Sequence, residues 1–351
     1  MKIALIAPPW VPVPPPAYGG TEAVIDVLAR GLQRAGHDLT LYAHAESTIP
    51  VPVRSVIKSG EPPIIGDGTW ELSHTIGAYE QIDDDTIVHD HTRSGPLVNP
   101  RVRDMAVVVT NHSIYQPHIE QILQAYPANV RLISISRSHA ASTRLDSTVI
   151  HHGINVDEMP VGDGGGGYAL FLGRMAHDKG VHRAIEIART AGMPLKIAAK
   201  MREPGELAYF QKFVEPHLSA DIEYVGEVGM AQKLELLCGA VALLNPSQWP
   251  EPFGMVMIEA LACGTPVVGC PQGAAPEIVD HGLTGFLNDD LDALAVHLQS
   301  VDLLSRDRCR AQVKERFSVE RMVARHVQIY REVAAARDEA RRNRRELVAA
   351  Y

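Results

Sequence analysis

Short apolar runs separated by helical or irregular stretches recur along this chain, and that alternation constrains its fold more than any other feature. KIALIA from Lys2 is followed by runs at Asp38 to Ala43, Thr86 to His91, Val107 to His112, Arg131 to Ser136 and Thr148 to His152. The series restarts with YALFLGR, LKIAAK, IEYVGEV, VALLNPS and TPVVGC. Runs of this length, bounded by turn residues, read as buried strands, and strands alternating with helices build parallel sheets. At 351 residues the chain holds about two such domains. GDGGGG at 162–167 lies between the series and is flexible by composition, so the sequence predicts a linker and hinge there, with the boundary at 162/163.

A hydrophobic content of 46% with 21% charged residues is that of a globular chain. The net charge of -9 argues against a broad nucleic-acid surface. No apolar run approaches the roughly 20 residues of a membrane span, and MKIALIAPPWVP meets proline too soon for a signal peptide. The expected location is cytoplasmic. Cys238, Cys263, Cys270 and Cys309 fall in apolar segments without metal-ligand spacing and read as buried, reduced thiols. Asp83, Asp84 and Asp85 precede a strand at its amino end and read as a solvated turn, not a metal motif.

The most informative stretch runs from Asn245 to Cys270, NPSQWPEPFGMVMIEALACGTPVVGC. In Trp249-Pro250-Glu251-Pro252 each proline pushes its predecessor out of the α region, and Gly254 lets a backbone or ligand approach closely. A helix then begins, with Val256, Met257, Ile258, Ala260 and Leu261 as its apolar surface and Gly264 at its end. Glu251 stands just before the helix and Glu259 about two turns inside it. The first-turn amides of Phe253, Gly254, Met255 and Val256 are unpaired donors that suit a phosphate. Carboxylates beside them suit neutral hydroxyls, so the stretch reads as a site for a molecule with sugar at both ends and phosphate in the middle. The plainer alternative is a turn whose Glu251 is solvated and whose Glu259 caps a buried polar group.

EPFGMVMIEALACGTPVV, followed by GAAPEIVDHGLTGFL, resembles the nucleotide-sugar signature of glycosyltransferase family 4, group 1 type, the retaining enzymes of GT-B fold. The family's paired glutamates match Glu251 and Glu259, and its Gly-x-x-Pro-Glu matches Gly273, Pro276 and Glu277. The likeness extends from Lys2 to about Phe317. It implies an α/β protein with two Rossmann-like domains facing each other across a cleft. Residues 1–162 would bind the acceptor, residues 163–317 the nucleotide sugar, and in 318–351 a helix from about Ser318 to Ala336 would cross back to the first domain.

The resemblance also distributes roles. Arg174 and Lys179 match the family's Arg and Lys that stabilise the leaving diphosphate. The two lie five apart across one strand–helix loop, the helix beginning near Lys179, and pair bidentate geometry with a mobile point charge. Gly19 and Gly20 match the glycine pair that approaches the donor phosphates, at the start of a helix from Thr21 that Thr21 is able to cap. Gly226 and Val228 flank the segment whose backbone meets the nucleobase. His112 matches the histidine that hydrogen-bonds the transferred sugar, and His91 and Arg93 are expected to line the acceptor side. His89, His91, His112, His151 and His152 all fall at predicted strand ends, where sites in such sheets gather. They come from separate strands without Glu or Cys at ligand spacing, so no metal site is expected.

The expected activity is metal-independent, retaining transfer of a hexose from a nucleoside-diphosphate sugar, such as a UDP-sugar or GDP-mannose, to an acceptor hydroxyl. The nucleotide sugar is a co-substrate and no further cofactor is implied. The acceptor is a sugar, a lipid-linked molecule or a small molecule, met by a cleft that the stiff PPWVPVPPPAYGG loop shapes. Two rivals stay open. One is another GT-B enzyme of phosphorylase, epimerase or sucrose-phosphate-synthase type, and the other is a non-catalytic nucleotide-sugar-binding module. The tail arginines 337, 341, 342, 344 and 345 are able to touch anionic lipid at a membrane surface, although interleaved Asp338, Glu339 and Glu346 favour a solvated helix end. The sequence carries no signal for oligomeric state.

Overall fold

The central apolar runs form strands buried on both faces, as a parallel sheet covered by helices requires, while the runs at the sheet edges are partly exposed. The structure, a computed structural model, describes residues 1–57 and 66–349. It divides into two compact units. One comprises Met1–Gly153 together with the segment from Val319 onward, and the other is Ile154–Ser318.

The first unit holds strands β1 (Lys2–Ile6), β2 (Asp38–Tyr42), β3 (Val53–Arg54), β4 (Ile87–Asp90), β5 (Ala106–Asn111), β6 (Val130–Ser134) and β7 (Thr148–Val149). They form one parallel sheet in the order β3-β2-β1-β4-β5-β6-β7. The second holds β8 (Ala169–Arg174), β9 (Leu195–Lys200), β10 (Ile222–Gly226), β11 (Ala242–Asn245), β12 (Val267–Gly269) and β13 (Gly285–Leu287), in the order β10-β9-β8-β11-β12-β13. The two-residue β3 and the Gly-containing β13 were beyond the sequence reading, being too short to show a pattern.

Both sheets reverse direction of growth beside their first strand. In the first unit the switch lies between β1 and β4, and in the second between β8 and β11. Ligands of such sheets bind beyond the carboxyl ends at this point. The loops concerned are 7–19 and 91–94 in one unit, and 175–180 and 246–254 in the other. They carry Gly19, His91, Arg93, Lys179, Glu251 and Gly254, while Arg174 closes β8 itself.

Three expectations need correction. GDGGGG is not a boundary, because the second unit begins at Ile154. Gly162 and Gly164 donate to the carbonyls of Cys263 and Cys238, at 3.0 and 3.1 Å, and Gly166 donates to Gly239. A Cβ on Gly162 would overlap the backbone of Cys238, so the glycine serves close packing, not freedom. Thr21 does not cap its helix. The helix runs Gly20–Arg34 with Gly19 at the cap and no side-chain cap bond. The last helix is Val319–Ala349, far longer than a 318–336 span. It lies close to Gly20–Arg34 because Gly31 leaves room for Val319 and Val323.

The basic tail folds onto the first unit through the acidic turn. Arg341 pairs with Asp85 at 2.7 Å, Arg337 donates to the Asp84 carbonyl, and Arg344 pairs with Asp104. Asp83 and Asp84 pair with Lys2 and Arg101. The three turn carboxylates remain mostly exposed. All four cysteines are free thiols; three are buried and Cys238 is partly exposed. No helix among the described residues is long and apolar enough to cross a membrane.

Candidate active site

β8 ends at Arg174, after which a 3-10 turn, His177–Lys179, leads into the helix Val181–Ala191. The helix starts two residues later than expected, because Gly180 takes a left-handed conformation (φ 75°) at its cap. A side chain on Gly180 would collide with the Pro246 carbonyl of the loop after β11. The loops are stitched directly: Gln248 N and Ser247 Oγ both donate to the Asp178 carbonyl, at 2.9 and 3.2 Å.

This stitching brings together residues far apart in sequence. Lys179 Nζ forms an ion pair with Glu251 Oε2, the same oxygen accepts from Trp249 Nε1 at 3.0 Å, and the ammonium lies 5.3 Å from the Trp249 ring centre. Arg174 Nη2 pairs with Asp178 Oδ2 at 3.1 Å. The backbone of Glu251 is fixed as well, its carbonyl accepting from Ala274 N at 3.0 Å. Gly273, at φ 58°, sits so near Glu251 that no other residue fits without a shift.

The next helix is Met255–Ala262, with Gly254 at its cap (φ 101°) and no side-chain cap bond. Phe253 is buried while Met255 and Val256 are partly exposed. Glu259 stands little more than one turn into this eight-residue helix, not two. Its carboxylate pairs with Lys233 at 2.7 Å, and both side chains are largely buried. Gly226 closes β10 at φ 87°, and Glu227 next to it holds Arg202 through two bonds of 2.8 Å.

In the first unit Gly19 is extended and Gly20 is exposed, with nothing within 4 Å of where a Cβ would stand. Glu22, in the first helical turn, is buried, and burial pushes its carboxyl up to about 7. His91 and His112 follow the adjacent strands β4 and β5, with His91 Nδ1 2.9 Å from His112 Nε2. His112 stacks on His152 at 5.2 Å, and His89 lies within β4, bonded to Tyr330 and Thr110 at 2.7 Å. Burial lowers all of these imidazoles, His112 to about 3, so the cluster is neutral at ordinary pH. Arg93 is partly exposed, its amide bound to Glu71 at 3.0 Å and its carbonyl to Tyr126. No group of three or more His, Cys, Asp or Glu among the described residues is arranged to hold a metal ion.

Sequence reasoning missed Asp178, Lys233, Arg202, Trp249 as a contact, and Glu22. Trp249 stood inside the signature and was open to detection, whereas Lys233 and Arg202 lie on helix and loop segments with no motif.

Two parallel-sheet α/β units, the second carrying basic side chains and paired glutamates at its switch point, make the architecture of a GT-B glycosyltransferase. Residues 161–316 match the family described as Glycosyl transferases group 1, and residues 18–158 match Glycosyltransferase Family 4. The chain belongs to glycosyltransferase family 4, group 1 type. It is 31% identical over 125 residues to N-acetyl-alpha-D-glucosaminyl L-malate synthase of Bacillus anthracis, covering 33% of this chain and 32% of that one. It is 33% identical over 165 residues to glycogen synthase of Mycobacterium tuberculosis, covering 44% and 39%. The chain thus spans well under half the length of these relatives. Among solved structures it is similar to AviGT4, a glycosyltransferase involved in avilamycin A biosynthesis, with TM-score 0.73, 26% identity and coverage of 95% and 98%. Sucrose-phosphate synthase of Thermosynechococcus elongatus shares the fold at TM-score 0.79 and 20% identity, covering 95% and 99%.

Proposed function

We propose that this enzyme transfers a hexose from a nucleoside-diphosphate sugar to an acceptor hydroxyl with retention and without a metal ion. The observation that carries the reading is the Lys179–Glu251 pair at the switch point of the second sheet, beside Arg174 and the uncapped helix start at Gly254. The ammonium and the carboxylate satisfy each other. A donor exchanges that contact for two others, Lys179 turning to the diphosphate and Glu251 to sugar hydroxyls. Glu259 takes the ribose hydroxyls, and Gly226 to Val228 meets the base. In the first unit, Gly19, Gly20 and His112 keep the donor-side role, and His91 and Arg93 the acceptor-side role, that the family resemblance implies.

Breaking the anomeric C–O bond puts negative charge on the leaving diphosphate. Cations held in place before the reaction lower that barrier without reorganising. Arg174 and Lys179 supply them, and Arg174→Ala is expected to lower kcat about a hundredfold, on the order of 3 kcal/mol. Retention proceeds on the front face, the leaving phosphate taking the acceptor proton; a trapped glycosyl-enzyme would refute this route.

The test is a panel of UDP-, GDP- and ADP-sugars scored by thermal shift and by nucleotide release, with and without EDTA, on wild type and Glu251→Ala. HepE of Anabaena, which shares this fold at 18% identity, has been crystallised with UDP-glucose, which puts that donor first. One donor should raise the melting temperature and be hydrolysed in EDTA, and Glu251→Ala should lower that turnover. If no sugar nucleotide shifts the melting temperature, the donor assignment fails.

A further inference from the structure

His91 and His112 share a single hydrogen bond, from which their protonation can be read. The nitrogens His91 Nδ1 and His112 Nε2 are 2.9 Å apart. Only one of the two carries the proton between them, and each neutral imidazole has one proton to place. His91 is 6% exposed, and its other nitrogen, Nε2, is enclosed with no hydrogen-bond partner among the described residues. Its amide is already used, donating to the Ile6 carbonyl at 2.9 Å.

Two arrangements exist. If His112 donated from Nε2, His91 would carry its own proton on Nε2, leaving a buried N–H without an acceptor. If His91 donates from Nδ1, its Nε2 is a buried lone pair and no donor is stranded. Orphaned buried N–H groups are the rarer and costlier defect. Protonating both rings is opposed by the enclosure and by the rings of His89 and His152, at 4.1 Å from His91 and 5.2 Å from His112.

We infer that His91 is a positioning residue that donates from Nδ1 to His112 Nε2 and so fixes His112 in the tautomer protonated at Nδ1. His112 then offers Nδ1–H as a donor to an oxygen of the substrate. It is a hydrogen-bond donor in the reaction, not a base. The inference rests on the proposed role of His112 only for its catalytic consequence; the tautomer stands on the geometry alone.

The experiment labels histidine with nitrogen-15 in the full chain and reads tautomers by long-range proton–nitrogen correlation, with His112→Ala identifying the signal. Wild type should show His112 protonated at Nδ1. His91→Phe keeps a ring but removes the donor, so His112 should become a mixture and kcat fall about tenfold, with little change in donor KM. His91→Asn places an amide N–H where Nδ1–H stood and should restore the tautomer and most of the lost rate. Finding His112 protonated at Nε2 in wild type overturns the inference. So does an unchanged tautomer and kcat in His91→Phe. If the tautomers behave as inferred but His112→Ala retains full turnover, the proposed role of His112 fails while its tautomer assignment survives.

Discussion

Each of the paired glutamates, Glu251 and Glu259, is met by a lysine, and the two pairs are chemically different. Lys179 and Glu251 sit on loops at the strand ends, and Trp249 binds the same carboxylate oxygen. Lys233 and Glu259 sit on neighbouring helices with side chains 17% and 10% exposed. Removing one partner of a mostly buried pair strands the other charge, whereas replacing both by apolar groups is often neutral. Lys233→Met should therefore cost about 3 kcal/mol of stability, and Lys233→Met with Glu259→Met should recover most of it in a denaturant titration. Additive losses would show that the pair carries no coupling and that Glu259 has another partner. The glutamates were legible in the sequence because a motif carries them. Lys179 was legible as a site residue, but its contact with Glu251, 72 positions away, was not, and Lys233, 26 positions from Glu259, was missed altogether, since no local pattern encodes a contact that the sheet order creates.

Elements were read best where the pattern was long. The strand runs of both sheets appear close to their expected places, because continuous Val, Ile and Leu runs have few alternatives to a doubly covered strand. GDGGGG was misread for a physical reason: glycine is chosen both for freedom and for close approach, and composition cannot separate the two. Substitution can. Gly162→Ala forces a methyl group into the Cys238 backbone and should destabilise the second unit by about 2 kcal/mol. Gly165→Ala meets only the flexible Asp163 side chain, at 3.1 Å, and should change stability by less than about 0.5 kcal/mol. The linker reading predicts instead that both alanines are neutral or slightly stabilising. Urea unfolding followed through Trp249, which lies in the second unit, distinguishes the outcomes. Equal, near-zero effects at the two positions would restore the linker.

At the scale of the molecule, buried titratable groups are concentrated in the first unit, and this makes the two units respond differently to acid. Burial holds His74, His139 and His326 at about 4, His112 at about 3, and His89, His91 and His152 well below their ordinary value. Above pH 6.5 these rings are neutral folded or unfolded and stability does not depend on them. Below it the unfolded chain takes up protons that the folded chain refuses, so stability falls with pH down to about 4. Glu22 and Asp90 act in the opposite sense. Their carboxyls are raised to about 7 and about 6, so the folded chain binds protons that the unfolded chain does not, and stability rises as pH falls from 7 toward 4. Seven histidines against two carboxyls leave a net loss on acidification. In the second unit His182 and His297 are lowered, but neither is fully enclosed. Trp10 and Trp70 report on the first unit and Trp249 on the second. Melting followed in variants keeping tryptophan in only one unit, between pH 8 and pH 5, should show the first-unit transition falling well before the second. Parallel falls would mean that the histidine cluster is hydrated in solution, and with it the neutral state on which the His91–His112 hydrogen bond depends.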